Sequence, residues 1–190
     1  MKLWDIKAFC YHRVRRLFVF RRMLEDEIRA QKSLMDTYPN RHDFVLDLGC
    51  GTGCSLQVFP DDVPVIGMDH SLRMVRRAFR YRKGFAGVVG SADHLPFKKN
   101  CTTMISAVGL IEYLKDKIIF IDEIHSVLKK SGTLLITVSP PSFLNKLRNL
   151  FGNRIYPVKP EHWKKTLVDK GWTCLDERNT MLQRQYLLRK

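Results

Sequence analysis

A glycine-rich turn directly after a short apolar segment constrains the fold of this chain most. Residues 44–48 read Phe-Val-Leu-Asp-Leu, residues 49–53 read Gly-Cys-Gly-Thr-Gly, and a short helix is predicted at about residues 54–59. Glycine allows a sharp backbone bend and lets a ligand approach the main chain closely. Ligands of open α/β sheets bind beyond the carboxyl ends of the strands. The turn therefore predicts a nucleotide-type site at the end of a buried strand.

Strand-like and helix-like patterns alternate after this turn, which predicts a parallel sheet with helices on both faces. Further strands are predicted at residues 63–69, 85–90, 103–108 and 133–138, and helices at 71–82, 117–129 and 162–170. A final pair of strands, residues 172–177 and 181–188, is separated by a three-residue connection that is too short for a crossover helix. We therefore expect an α/β fold with seven strands, mostly parallel, and an antiparallel C-terminal edge strand.

The size of the chain favours a single domain. It has 190 residues, of which 45% are hydrophobic and 27% charged, so a mainly disordered chain is excluded. Residues 1–37 show helical spacing of apolar side chains and are followed by Tyr-Pro-Asn. We expect residues 1–40 to form a helical lid, and residues 41–190 to form an α/β core.

The chain is strongly basic, with a formal net charge of +14. Residues 73–84 carry six basic residues and no acidic one, and residues 178–190 carry four and no acidic one. Such a surface attracts anions, including nucleic acid, anionic lipid headgroups and acidic small molecules. It is equally compatible with ordinary solvated faces, so charge alone selects none of these partners.

The five cysteines include no C-x-x-C pair, and their count is odd. A disulfide framework or a structural zinc site is therefore not expected, and we predict no metal. Met1-Lys2 is not followed by an unbroken apolar region of the kind found in signal peptides. We expect a cytoplasmic protein that contacts a membrane, if at all, only peripherally.

The residues around the glycine-rich turn narrow the choice of nucleotide. No Lys-Ser or Lys-Thr follows the glycines, as a phosphate loop would require, and Cys54 stands where a dinucleotide-binding motif has its third glycine. Asp47 would repel a pyrophosphate but would suit a cationic amino group. Asp69, twenty-two residues later, ends the second predicted strand, where a carboxylate accepts hydrogen bonds from ribose hydroxyls. A nucleoside with an ammonium group and no phosphate describes S-adenosylmethionine.

At this point the sequence resembles the class I S-adenosylmethionine-dependent methyltransferases, with the subgroup that acts on small molecules as the nearest match. The resemblance covers about residues 43–188, and its motifs stand in the family's order. They are the segments 45–53 (VLDLGCGTG), 66–69 (IGMD), 90–97 (GSADHLPF), 109–114 (GLIEYL) and 128–134 (LKKSGTL). The resemblance implies a Rossmann-like fold and methyl transfer from S-adenosylmethionine, with S-adenosylhomocysteine as the product.

The resemblance also implies individual roles around the cofactor. Asp47 and the turn would hold the methionine end, Asp69 the ribose, and residues after the third and fourth strands the adenine and the sulfonium. The cofactor-binding residues predicted in this way are Asp47, Gly49, Cys50, Gly51, Asp69, His70, Met74, Ser91, Ala92, Asp93 and Val108. Two positions depart from the family pattern, because Ser91 replaces a frequent acid and Thr102-Thr103 replaces a frequent Phe-Asp.

Residues for acceptor binding and catalysis are less well marked. Transfer from a sulfonium mainly requires alignment and exclusion of water, and a base is needed only if the acceptor must lose a proton. Tyr113 and His94 are the candidate bases, and Tyr11, Phe18 and Tyr113 are candidate pocket residues. The long segment 139–160 follows the fifth strand, and we expect it to form a substrate-facing flap.

Three functions remain open from the sequence. Methyl transfer to a small-molecule or lipid-like acceptor is favoured. The alternatives are a basic nucleic-acid-binding or RNA-modifying protein and a catalytically degenerate, methyltransferase-like binding protein. A nicotinamide oxidoreductase is disfavoured by Asp47 and Cys54.

Overall fold

The computed structural model describes residues 18–37, 43–142 and 155–190. Four α-helices and two short 3₁₀ helices surround the sheet in this part of the chain. The helices are α1 (Phe18–Thr37), α2 (Leu72–Ala78), α3 (Lys117–Val127), α4 (Pro160–Asp169), η1 (Cys54–Val58) and η2 (Ile111–Tyr113). The strands are β1 (Val45–Leu48), β2 (Val65–Asp69), β3 (Phe85–Val89), β4 (Thr102–Ala107), β5 (Leu128–Val138), β6 (Thr173–Asn179) and β7 (Arg184–Arg189).

The seven strands form one sheet in the order β3-β2-β1-β4-β5-β7-β6. β1 to β5 are parallel, whereas β7 is antiparallel to both β5 and β6. This confirms the predicted α/β fold, and it places β7 between β5 and β6 so that β6 forms the edge. The carboxyl ends of β1, β2, β3 and β4 lie at the same edge of the sheet, where the sequence predicted the ligand site.

Helices cover both faces of the sheet, and each face has its own apolar core. On one face, α3 and α4 contribute the buried side chains of Phe120, Ile124 and Trp163. On the other face, α1 contributes Leu34 and α2 contributes Val75. The described part of the N-terminal helix therefore packs on the sheet. None of the helices among the described residues is long and apolar enough to span a bilayer.

Two element boundaries among the described residues differ from the sequence prediction by more than three residues. α2 ends at Ala78 rather than near residue 82, and Arg82 turns inward to bond backbone carbonyls. β5 begins at Leu128 rather than residue 133, so Ser131-Gly132 lies inside the strand and does not end the preceding helix. The pairing with β4 shifts register across this segment, and Ser131 has a φ of 62°. A bulge therefore replaces the expected turn.

Several predicted features lie outside the described residues. Tyr11, most of the 139–160 segment and residues 1–17 and 38–42 belong to this group. Phe18 is the first residue of α1, and its side chain is likewise not described. The proposed lid and flap therefore stay predictions.

Candidate functional site

Asp47 lies near the end of β1 and is almost completely buried, with 1% of its surface exposed. The hydroxyl of Ser55, from the first turn of η1, donates to its Oδ2 at 2.9 Å. Burial raises the pKa of Asp47 to about 6, against the opposing effect of the Ser106 and Ser55 hydroxyls. A nearby cation would favour the charged carboxylate, so this position suits the positively charged end of a ligand.

The glycine-rich turn is fixed to the end of β2 by two backbone hydrogen bonds. The amides of Gly49 and Cys50 both donate to the carbonyl of Met68, at 2.7 and 3.0 Å. Gly49 and Gly51 have φ angles of 72° and 53°, a region that favours glycine. A Cβ at Gly51 would meet only the carbonyl oxygen of Gly49, at 3.9 Å, so the space beside this residue is open to a ligand.

Asp69, the last residue of β2, is held by two backbone amides. Gly51 donates to Oδ2 at 3.0 Å and Ser71 donates to Oδ1 at 2.9 Å, while His70 Nδ1 lies 3.4 Å from Oδ1. Burial raises the pKa of Asp69, and these hydrogen bonds oppose the rise. A carboxylate has about four lone-pair positions, so Oδ2 can accept one more hydrogen bond, and Oδ1 can accept one where His70 does not fill the position. The carboxylate is thus oriented and still able to bind a diol.

The start of α2 carries two further predicted residues. Ser71 is the N-cap, and its hydroxyl accepts a hydrogen bond from the amide of Met74 at 3.4 Å. The side chain of Met74 is buried, whereas His70 is exposed. Met74 therefore faces the protein interior, and His70 lies at the surface beside Asp69.

The loop after β3 contains the residues predicted to contact adenine. Its first residue, Gly90, donates to the carbonyl of Asp69 at 3.2 Å, which joins this loop to the end of β2. Ser91 and His94 form an isolated bridge, and the Asp93 amide donates to the Ser91 hydroxyl at 3.4 Å. Ala92 is buried, whereas Ser91, Asp93 and His94 are exposed. The structure therefore brings this loop beside Asp69.

Residues after β4 and β5 form the other side of the same sheet edge. Val108 is half-buried, and the amide of Gly109 donates to the hydroxyl of Thr137 at 2.8 Å. Glu112 is fully buried in η2 and accepts a hydrogen bond from the hydroxyl of Ser139 at 3.0 Å. These bonds fasten the segment after β4 to the end of β5.

A small cationic and aromatic group surrounds Glu112. Its carbonyl accepts from the amide of Tyr156 at 2.7 Å, and Lys117 Nζ lies 5.3 Å from the centre of the Tyr156 ring. Burial lowers the pKa of Lys117, and the negative charge of Glu112 opposes this effect. Tyr113, the next residue of η2, is half-buried. The segment after β4 thus brings an acidic side chain, a basic side chain and two tyrosines close to the end of the sheet.

The side chain of Cys50, one of the predicted cofactor residues, faces the core. The Cys50 side chain is 3% exposed and packs in the core with Val45, Leu56 and Phe85. Burial raises the pKa of its thiol far above the ordinary value. Only the backbone of Cys50 faces the turn, so any contact with a ligand must come from the main chain.

Several hydroxyl groups that fix the site were not predicted from the sequence. Ser55 bonds Asp47, and Thr137 and Ser139 hold the segment after β4. No local pattern distinguishes these hydroxyls from solvent-exposed ones. Among the residues described, no group of three or more His, Cys, Asp or Glu is arranged to hold a metal ion.

Comparison with known proteins gives a family match over the centre of the chain. Residues 46–136 match the family model described as a methyltransferase domain. The chain is 31% identical over 125 residues to malonyl-[acyl-carrier protein] O-methyltransferase of Herminiimonas arsenicoxydans, which covers 62% of this chain and 47% of that protein. It is 26% identical over 167 residues to demethylmenaquinone methyltransferase of Thermotoga maritima, covering 86% and 69%. The chain spans about half the length of the first curated relatives it matches.

A solved structure confirms the same fold. Magnesium protoporphyrin IX methyltransferase from Synechocystis, determined with bound S-adenosylhomocysteine, superposes with a TM-score of 0.76. The two sequences are 19% identical, and the match covers 99% of this chain and 98% of that one. At this identity the comparison establishes the architecture only.

Proposed function

Because the chain belongs to the class I S-adenosylmethionine-dependent methyltransferases, we propose that it transfers a methyl group to a small-molecule or lipid-like acceptor by in-line displacement. S-adenosylmethionine would supply a methyl group already activated by its sulfonium, and S-adenosylhomocysteine would be the product. The protein's contribution is then alignment of the acceptor, exclusion of water and, for an acceptor that must lose a proton, a base.

The observation that carries this proposal is the pair of carboxylates at one glycine-rich turn. Asp69 is oriented by the amides of Gly51 and Ser71 and retains acceptor capacity for two ribose hydroxyls. Asp47 is buried with a pKa of about 6, and an ammonium group would stabilise its charged form. Two carboxylates would repel a pyrophosphate, so this pair of acidic side chains fits a cationic nucleoside better than a dinucleotide.

The open space at Gly51 supports the same fit. A ligand can lie against the main chain here, since a Cβ at this position would meet nothing nearer than 3.9 Å. We assign the methionine end to Asp47 and the turn, the ribose to Asp69, and the adenine to the loop that contains Ser91, Ala92 and Asp93. Met74 and His70 would flank the nucleoside, and Val108 would face the sulfonium.

We place the acceptor beside η2, where Tyr113, Glu112 and Lys117 follow the end of β4. Tyr113 is preferred to His94 as a pocket residue or base, because His94 is exposed in the loop assigned to adenine. Buried Glu112 is fixed by Ser139 and positions η2. The small-molecule or lipid-like class of acceptor is favoured by the resemblance and by the names of the relatives reported above.

Calorimetric titration tests the cofactor assignment directly. The purified chain should bind S-adenosylmethionine and S-adenosylhomocysteine and should not bind NAD. Binding of NAD alone would contradict the proposal, because it would require the turn to accept a pyrophosphate beside Asp47.

Turnover separates an enzyme from a degenerate binding protein. The chain should transfer radioactive methyl groups from S-adenosylmethionine to a component of a small-molecule or lipid extract. Transfer to RNA instead would favour the nucleic-acid alternative, and cofactor binding without transfer to any fraction would favour a degenerate protein. The Tyr113→Phe variant, with the exposed Tyr81→Phe as its control, then tests the assigned pocket.

A further inference from the structure

The two edge strands of the sheet differ in how well they are protected. β6 contains Asp176, Glu177 and Arg178, and its pairing with β7 shifts register between Cys174 and Asp176. Lys164 and Arg178 form ion pairs with Glu177 and Asp176. Charges and bulges of this kind prevent another strand from pairing with an edge.

β3, at the opposite edge, has neither device. Its sequence is Phe-Ala-Gly-Val-Val, without a charge or a proline, and it pairs with β2 in unbroken register over five positions. No strand pairs with its outer side in the part of the chain that the structure describes. A regular apolar edge strand is a template for strand addition, because its outward N–H and C=O groups lack ladder partners.

Exposed apolar side chains are concentrated in the segment that contains α2 and β3. Eight large hydrophobic side chains are exposed among the described residues, and four of them lie between residues 72 and 89. They are Leu72, Phe79, Tyr81 and Val89, each about half exposed. We call these four residues together with Phe85–Val89 the β3 edge surface.

Phe79 connects the helix side of this surface to the strand. Its ring packs edge-on against Phe85, with 5.1 Å between the ring centres. A Cβ added at Gly87 would lie 3.0 Å from the Phe79 ring, so the ring lies directly beside the strand backbone. The ring is nevertheless 51% exposed, which leaves an apolar face for an added strand to cover.

The segment that carries the β3 edge surface is positively charged. Arg73, Arg76, Arg80 and Lys83 are exposed in it, and residues 71–92 contain no acidic residue. A second copy of the chain would bring the same positive groups together, at a net charge of +14 for each copy. Charge complementarity therefore selects an acidic occupant.

We propose that the β3 edge surface binds an extended segment of a partner protein, with alternating apolar residues and acidic flanks, which adds to the sheet beside β3. A protein strand satisfies the outward N–H and C=O groups of β3, whereas a nucleic acid or a lipid surface does not offer this ladder. The apolar side chains of the segment cover Phe79 and Val89, and its acidic flanks face the exposed basic residues between Arg73 and Lys83. This proposal does not rest on methyl transfer.

A nine-residue peptide serves as the probe. It has five alternating threonine and valine residues between pairs of glutamate residues, and it is titrated to millimolar concentration into the isotope-labelled full chain. We expect amide NMR shifts at Phe85–Val89 and hydrogen exchange at least tenfold slower at the same amides. A peptide with the same sequence but alternate N-methylated amides should bind at least tenfold more weakly, since it cannot complete the ladder.

Paired variants test the charge contribution. Replacing Arg76 and Arg80 together by glutamate should weaken peptide binding at least tenfold, whereas Lys165→Glu, an exposed change on α4, should have little effect. Equal binding of the N-methylated peptide, no shift at β3, or β3 shifts caused only by oligouridine would each overturn the proposal. Concentration-dependent protection of β3 in the absence of peptide would also overturn it, because it would identify a second copy as the occupant.

Discussion

Two adjoining regions of this molecule differ in the sign of the charge that they shield from solvent and in how far the protein itself provides its hydrogen-bond partners. At the glycine-rich turn, the carboxylate of Asp47 is buried and that of Asp69 is 11% exposed, and burial raises the pKa of both. The second region is the segment from η1 to β2, whose carbonyls accept hydrogen bonds from Arg82. The buried guanidinium of Arg82 donates to the carbonyls of Leu56 and Phe59 at 3.0 Å and to those of Pro60 and Val63. We call this second arrangement the arginine clamp.

The difference teaches which buried charge serves the fold and which serves a ligand. The two terminal nitrogens of the Arg82 guanidinium donate to backbone oxygens that are 19 to 26 residues away in sequence, so they are satisfied within the chain, whereas Nε is buried without a hydrogen-bond partner among the described residues. The carboxylates keep unused acceptor capacity and remain costly to ionise, which is the condition that a cationic ligand relieves. We therefore expect the clamp to affect stability most and the carboxylates to affect ligand binding most.

The largest expected effect follows from removing the clamp. Arg82→Ala should reduce the free energy of unfolding by about 3 kcal/mol or more, because several buried carbonyls lose a charged donor. Urea denaturation measures this loss. Arg82→Lys, with fewer donors in a different geometry, should show a smaller loss.

Arg80→Ala is the matched control for the clamp. Arg80 is exposed two residues earlier in the same basic segment, so its loss should change the free energy of unfolding by no more than about 0.5 kcal/mol. Equal destabilisation by the two alanine variants would mean that general charge, and not the clamp, stabilises this segment.

Asp69→Ala should have the next largest effect, and on binding. Two hydrogen bonds from ribose hydroxyls to a carboxylate would be lost, so we expect affinity for S-adenosylhomocysteine to fall roughly 100-fold. Calorimetric titration gives the affinity, and circular dichroism checks that the fold survives. Asp61→Ala, at an exposed carboxylate, should bind normally. Unchanged affinity of the Asp69 variant would show that the ribose lies elsewhere.

Asp47→Asn should separate stability from binding. The folded-state pKa of Asp47 is raised to about 6 from an ordinary value of 3.8, so ionisation costs stability as pH rises between these values. Because two pKa units correspond to about 3 kcal/mol, the variant should be more stable than the parent at pH 7 by about 1 to 3 kcal/mol. The affinity of the variant for S-adenosylhomocysteine should fall by about tenfold, because the cationic amino group of this ligand loses a charged partner.

The pH dependence checks the sign of this effect. The stability advantage of Asp47→Asn should be small near pH 4, grow up to about pH 6 and then remain constant. Asp69, whose pKa is also raised, is retained in both proteins and so largely cancels in the difference. A constant difference across this pH range would mean that Asp47 does not titrate as proposed.

The order of elements could be predicted from the sequence because their periodicity is local. Apolar runs predicted the parallel strands, and the three-to-four spacing predicted the helices between them. The bulge at Ser131 and the early end of α2 could not be predicted, because they depend on distant contacts. The Arg82 carbonyl partners and the pairing of β5 with β4 exist only in the folded chain.

In the candidate site, too, the features set by local sequence could be predicted, and those set by distant contacts could not. The glycines and carboxylates of the turn could be recognised because they stand at characteristic positions, directly at the ends of two predicted strands. Ser55, Thr137 and Ser139 could not, since a hydroxyl that fixes a buried carboxylate or amide looks in sequence like any other hydroxyl. The inward direction of the Cys50 side chain depends on the packing of the turn against Phe85 and Leu56.

Gly51→Ala gives the smallest expected change in stability among the site variants, and it best separates an effect on the fold from an effect on ligand binding. Gly51 has a φ of 53°, and an added Cβ meets no protein atom nearer than 3.9 Å, so only backbone strain of about 1 kcal/mol is expected. Gly171→Ala is the matched control, because Gly171 has a φ of 89° and nothing within 4 Å, but follows α4. Both variants should lose similar stability in urea denaturation. Only Gly51→Ala should weaken binding of S-adenosylhomocysteine, by at least tenfold, since its Cβ occupies space that we assign to the ligand. Equal affinity of the two variants would mean that the open space beside the turn is not where the ligand lies.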